Sequence, residues 1–267
     1  MSPPTYDLAV FPGVTDVRGS FETYRAAIAR LPAGRALGQD DLRTDTFLLA
    51  RNGYLESFYA PFDHVERSAA VAIVGVTPGW MSMGIAFREA CVALRAGCAD
   101  EEILRRAKLA AAFPGPMRAR LAAWLDRLGL QQHLGLAASA DLFVGARRLL
   151  HPAYLLRCPV FVRGKNYSGQ SPRILAAEGL RECVEKWLLP ELEKLERPLV
   201  IPLGPRVSEV ISRYEGALAG ITCLHGFPHP SGLNALGPGQ FAGEERRLRR
   251  KMAIWAARRG RETGVPG

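Results

Sequence analysis

The sequence predicts a three-layer α/β/α fold, with a central parallel sheet of four strands and helices on both faces. Two observations carry this. Residues 69–74, AAVAIV, form an apolar run without alternation, the pattern of a strand buried on both faces. Strand patterns then alternate with helical ones along the chain, as in parallel strands joined by crossover helices. With 267 residues there is ample material for one large core. No internal repeat, low-complexity tract or linker interrupts it, so residues 1–267 are expected to form a single domain. Its flanks are read as an N-terminal helical extension over about 1–60 and a C-terminal basic helix over about 241–260.

Taken in order, GSFETYRAAIARLPAGRALG reads as a short helix with a glycine exit, and LESFYAPFDHVERS as an aromatic-rich connection. The first strand, 69–74, is stopped by Gly75, Pro78 and Gly79. Helical patterns follow in GIAFREACVALRAG, DEEILRRAKLAAAF and PMRARLAAWLDRLGL, the last two joined by a Pro-Gly-Pro turn. The second strand is expected at 158–164, CPVFVRG, running into the loop KNYSGQSP. A long helix over about 174–195 comes next, kinked or broken at Pro190 because proline has no amide hydrogen to donate. RPLVIPLG is the third strand, PRVSEVISRY a helix and GITCLHGF the fourth strand. The closing helix, EERRLRRKMAIWAARRGR, sets Leu248, Met252 and Trp255 on one stripe.

Composition narrows the function. Hydrophobic residues make up 48% and charged residues 23%, ordinary for a globular protein. No apolar run reaches the roughly 18–20 residues that span a bilayer, so no membrane partner is expected. MSPPTYDLAVFPG lacks a basic segment followed by a long apolar one, so no signal peptide is expected. The five cysteines (Cys91, Cys98, Cys158, Cys183, Cys223) are odd in number, scattered and without a C-x-x-C pair. Reduced thiols in a cytoplasmic protein without a metal centre are therefore expected. Lys and Arg exceed Asp and Glu by 35 to 26, a net charge of +9 that favours a polyanionic partner such as nucleic acid.

Three loops rich in Gly, Pro, Asn and Ser follow expected strands: GVTPGW, RGKNYSG and GFPHPSGLN. In parallel sheets ligands sit beyond the carboxyl ends of the strands, so the three loops suggest one composite site. None has the G-x-G-x-x-G or G-x-x-x-x-G-K pattern, and no nucleotide cofactor is expected. In FPHPSGLN two prolines exclude a helix interior or central strand, leaving an ordered loop that presents His229 and Ser231.

The order of these motifs resembles the uracil-DNA glycosylase superfamily over roughly residues 55–235. GVTPG, 75–79, is similar to the G-x-x-P-G loop that ends the first strand there. HPSGLN, 229–234, is similar to its H-P-S or N-P-S loops, and RGKNYSG holds an asparagine between the two. With YAPFDHV and IPLG, the pattern resembles an uncharacterised subgroup of that superfamily. The resemblance implies a uracil-DNA glycosylase-like fold and a monofunctional DNA glycosylase, expected as a monomer without cofactor or metal. Such an enzyme flips a pyrimidine from the stack and hydrolyses its N-glycosidic bond, leaving an abasic site. The base would be uracil, or a hypermodified phage cytosine such as glucosylated hydroxymethylcytosine, placing the protein in repair or antiviral defence.

By the same resemblance, His229 donates to the pyrimidine O2 and stabilises the departing anion. Thr77 stands where some relatives carry Asp or Asn. It cannot be a carboxylate base, but its hydroxyl and carbonyl can orient water. Asp63 is a candidate substitute acid, the alternative being a turn cap. Asn166 offers donor and acceptor to a base edge, with a turn role as the alternative and Arg163 or Lys165 as competitors. Phe87, or Trp80, would stack on the flipped base, although helical spacing suits Phe87 equally to the core. Gly75 would let the base approach. Pro78, Gly79, Ser231, Asn234 and Lys165 would contact DNA, and Leu233 would fill the gap left by the extruded nucleotide. The alternatives are an inactive nucleic-acid binder and a free-nucleoside hydrolase, for which the basic balance is unnecessary.

Overall fold

The computed structural model describes residues 20–32 and 35–263. The N-terminal stretch read for a signal peptide lies outside them. The strands, in chain order, are β1 Leu48–Asn52, β2 Leu55–Phe58, β3 Val71–Gly75, β4 Leu150–Tyr154, β5 Val160–Val162, β6 Lys165–Asn166, β7 Leu199–Pro202 and β8 Thr222–Cys223. They form two sheets, ordered β1-β2-β5-β6 and β4-β3-β7-β8. No helix among the described residues is long and apolar enough to cross a membrane.

The second sheet is the parallel four-stranded sheet that the sequence predicts. β3 runs parallel to β7 from Val71 opposite Leu199 to Val74 opposite Pro202, and β7 runs parallel to β8. All five residues of β3 are buried, as its unbroken apolar run requires. One strand is corrected. The fourth member is β4, LHPAY, and not 158–164. A proline inside a strand argues against a central position, and β4 obeys that rule by lying at the sheet edge. Its buried His151 is paired through Nε2 with Glu191 Oε2, 3.1 Å away.

Residues 158–164 instead supply β5 of the antiparallel sheet, paired to β2 and β6. The chain reverses through Arg163 (φ 49°) and Gly164 (φ 74°), a two-residue loop with both φ values positive, which matches the twist of a hairpin. This brings Lys165 opposite Val162 and Asn166 opposite Phe161.

The chain divides into two compact units. One comprises the described residues up to His64, Val76–Ala111 and Tyr154–Pro190. It holds the antiparallel sheet, the helix Phe21–Ala29 and the mutually packed helices Trp80–Arg95 and Asp100–Ala110. The expected N-terminal helical extension is therefore part strand, β1 and β2. The other comprises Val65–Gly75, Ala112–Ala153 and the chain from Glu191. It holds the parallel sheet and the helices Pro116–Leu128, Pro205–Tyr214 and Gly237–Thr263. The expected stripe on the last helix is buried: Leu248, Met252 and Trp255 all face inward, and Trp255 Nε1 donates to Arg197 O at 3.1 Å.

The helix expected over 174–195 runs as Glu178–Cys183, a π-helical turn Val184–Leu188, and Leu189–Glu193. Pro190 does not break it. A proline ring crowds the carbonyl four residues back, and here that carbonyl, of Lys186, belongs to the wider π turn.

Candidate functional site

In the first unit the loop after Gly75 is stapled by Thr77. Its Oγ1 donates to Cys158 O at 2.8 Å and accepts from Val160 N–H at 3.1 Å. The hydroxyl proton is thus committed to the fold, and Val76 O accepts from Leu156 N–H at 2.9 Å beside it. Thr77→Val, which keeps the shape and removes both bonds, is expected to cost about 1–2 kcal/mol of stability in urea denaturation. No loss of stability would mean that the staple is replaced by water.

Asn166 reaches this loop from β6. Its Oδ1 accepts from Trp80 N–H at 2.8 Å. The helix Trp80–Arg95 has Gly79 at its N-cap, which carries no capping side chain, so Asn166 satisfies that end from another element. A Cβ at Gly79 would lie 3.1 Å from Asn166 Nδ2, tight enough that the amide would have to shift by a few tenths of an ångström. The structure therefore brings Thr77, Gly79 and Asn166 into one anchored group. Oδ1 is partly spent on the helix, and the exposed amide keeps Nδ2 as a donor. Asn166, Lys165, Arg163, Ser168 and Gln170 line an open groove of about 390 Å³. Pro78 is buried, so its side chain is not a DNA contact.

Two other expected residues of this unit serve the fold. Asp63 accepts from Tyr59 Oη at 2.8 Å and lies 3.4 Å from an Arg157 nitrogen, whose guanidinium stacks on Trp187 at 3.8 Å. Burial, followed by the Asp63 carboxylate, pushes the Tyr59 phenol well above its usual value. Phe87 is 0% exposed. Its ring packs 4.7 Å from Phe47 and 6.5 Å from Tyr59, centroid to centroid. It presents no face to a base, and the stacking role is corrected to a core role. Trp80, half-buried and 6.0 Å from the Phe161 ring, has the surface access that Phe87 lacks.

In the second unit, β3 ends at the buried Gly75, and β8 leads into the histidine loop. Phe227 roots the loop in an aromatic cluster. It lies 5.9 Å from both Trp124 and Phe241, and those two rings stack at 4.9 Å. Gly204, at φ 88°, donates its N–H to Phe227 O at 3.0 Å. A Cβ there would meet His229 Cβ at 3.1 Å, so the loop after β7 backs directly onto the histidine. Arg120 donates to Ser231 O at 2.9 Å, and Asn234 Nδ2 donates to His229 O at 3.1 Å. The three hydrogen bonds all hold loop backbone, leaving the imidazole to point from a braced frame.

The ring itself is polarised in one sense. Ser231 N–H donates to His229 Nδ1 at 3.3 Å, which assigns the proton to Nε2. Burial lowers the His229 pKa from its usual value, so the ring is neutral at pH 7. A neutral imidazole with a directed Nε2–H results. Leu233, at the tip of the Ser231–Asn234 turn, is 98% exposed.

No family model matches the chain. It is 34% identical over 245 residues to "Uncharacterized protein YoxB" of Bacillus subtilis (strain 168), covering 90% of this chain and 94% of that protein. The chain belongs to the YoxB family. Residues of both units take part in a match of that extent.

Sequence reasoning missed several supports in this YoxB-family chain. Gly204, Arg120 and Trp124 hold the histidine loop, yet only Gly204 left a signal, as a glycine before a proline at a helix start. Cys223-x-His225 at the end of β8 lacks the C-x-x-C spacing and so carries no recognisable pattern in sequence.

Proposed function

We propose that the protein is a monofunctional DNA glycosylase that flips out a damaged or modified pyrimidine, uracil or a hypermodified cytosine, and leaves an abasic site. The observation that carries this is His229: neutral, braced through its backbone, with one ring nitrogen occupied and Nε2–H free to direct at a developing anion. The strand order β4-β3-β7-β8 and the position of the histidine loop beyond the carboxyl end of β8 support the uracil-DNA glycosylase-like arrangement, which is part of the proposal. The net charge of +9 supports DNA as the partner. The protein acts as a cytoplasmic monomer, with Asn166 reading the base edge through Nδ2 and Thr77 acting through backbone it holds in place.

Incubating the protein with duplexes that each carry one modified pyrimidine, followed by mass spectrometry of the free base, tests this. Release of one base, lost in His229→Ala, is expected. DNA binding without release would leave an inactive binder, and release from nucleosides alone would leave a nucleoside hydrolase.

Leu233 tests flipping itself. A side chain that fills the vacated stack stabilises only the flipped duplex. Leu233→Ala should therefore slow release from paired duplex by roughly tenfold, the scale of one to two kcal/mol of lost apolar contact. Single-stranded substrate should be nearly unaffected, and mispairing the target should restore part of the duplex rate. Equal loss on both substrates would remove Leu233 from the mechanism.

A further inference from the structure

Away from His229, another histidine of the parallel-sheet unit, His225, gathers an unusual set of neighbours. Cys223, the last residue of β8, places Sγ 3.7 Å from His225 Nδ1. The helix Pro205–Tyr214 brings Ser208 Oγ to 2.7 Å from the same nitrogen and Ser212 Oγ to 3.4 Å. On the opposite edge of the ring, Glu215 Oε2 lies 2.8 Å from Nε2. Ligand atoms of Glu215, Cys223 and His225 all fall within 4.8 Å of one another. Ser208 and Ser212 also line an open groove of about 620 Å³, and His225 is half-buried beside the buried Cys223.

We propose that Cys223 Sγ and His225 Nδ1 bind a divalent cation of the zinc class, with Glu215 orienting the imidazole through Nε2–H. The distances fit the chemistry. Tetrahedral zinc holds sulfur at about 2.3 Å and imidazole nitrogen at about 2.0–2.1 Å, which separates the two ligand atoms by about 3.6 Å. A carboxylate accepting from the other ring nitrogen is the usual partner of a metal-bound histidine, because it fixes the tautomer that frees the ligating nitrogen. A thiolate with an imidazole selects zinc-class ions over magnesium or calcium, which prefer oxygen. The Ser208 hydroxyl stands on the ligating edge, and groove water supplies the remaining positions. A hydrogen-bond relay from Ser208 through His225 to Glu215 would need no cysteine, since a thiol is a weak partner.

The test uses the full chain, freed of metal, titrated with zinc sulfate by calorimetry and with cobalt(II) by absorption spectroscopy. One ion per chain and a thiolate-to-cobalt charge-transfer band are expected. Cys223→Ser should abolish the band. Glu215→Gln should keep it while weakening zinc about 10–100-fold, the scale for loss of such a partner. The wild-type band is read without any variant, so misfolding of a mutant cannot mask the outcome. Absence of stoichiometric binding, or a band that survives Cys223→Ser, would overturn the site. An unchanged affinity in Glu215→Gln would overturn the orienting role. Neither readout involves base release, so failure here is separable from failure of the glycosylase reading.

Discussion

His229→Ala is expected to lower the single-turnover rate of base release by about 10²–10³, the scale for loss of one donor directed at a transition-state anion, with DNA affinity nearly intact. Affinity is spared because the ring is neutral and carries no charge to a phosphate. The loop is spared because Pro228, Pro230, the Arg120 bond to Ser231 O and the Phe227 anchor do not depend on the imidazole. Burial disfavours the imidazolium, so the neutral ring persists below the usual value of 6.5. The midpoint at which the rate falls on acidification should therefore lie below 6.5. The same shift has a stability consequence of definite sign. Below pH 6.5 the unfolded chain takes up a proton that the folded ring resists, so the fold loses stability as pH falls. Loss of affinity without loss of rate in His229→Ala would reduce the residue to positioning DNA. A rate midpoint at or above 6.5 would show that the ring acts as an ordinary exposed histidine.

What could be read in advance depended on whether the cue was local. β3, β7 and β8 are legible because each is a short apolar run closed by Gly or Pro. β4 is not, because LHPAY hides a buried polar pair, His151 with Glu191, whose members are 40 residues apart. β5 is recognisable as a strand, but its antiparallel partners are set by a two-residue turn in which Arg163 takes a positive φ, which no sequence rule for glycine or asparagine anticipates. The histidine loop announces itself through its prolines. The bond from Trp80 N–H to Asn166 Oδ1 does not, since it joins residues 86 apart in sequence and depends on the tertiary fold. Phe87 illustrates the remaining limit: helical spacing places a side chain on a face without saying whether that face meets a ligand or the core.

Phe87→Ala is expected to destabilise the protein by about 3–5 kcal/mol, the cost of removing a fully buried aromatic ring and leaving a cavity. The ring sits among Phe47 and Tyr59, and Tyr59 in turn stacks on Tyr24 at 4.1 Å and donates its hydroxyl to Asp63. Its loss would therefore loosen the helix Phe21–Ala29, the strand region before Asp63 and the helix Trp80–Arg95 together. Urea denaturation at constant m measures this directly. Phe87→Leu separates the core role from the stacking role proposed by resemblance. Leucine refills most of the space and should cost less, roughly 1–2 kcal/mol, so the variant stays folded at 25 °C. A core residue predicts that base release per folded molecule is then unchanged. A stacking platform predicts the reverse, a folded Phe87→Leu protein with release greatly slowed, because an aliphatic chain offers the base no π face. That second outcome would require Phe87 to leave its cluster when DNA binds, and would return to it the role that its burial denies.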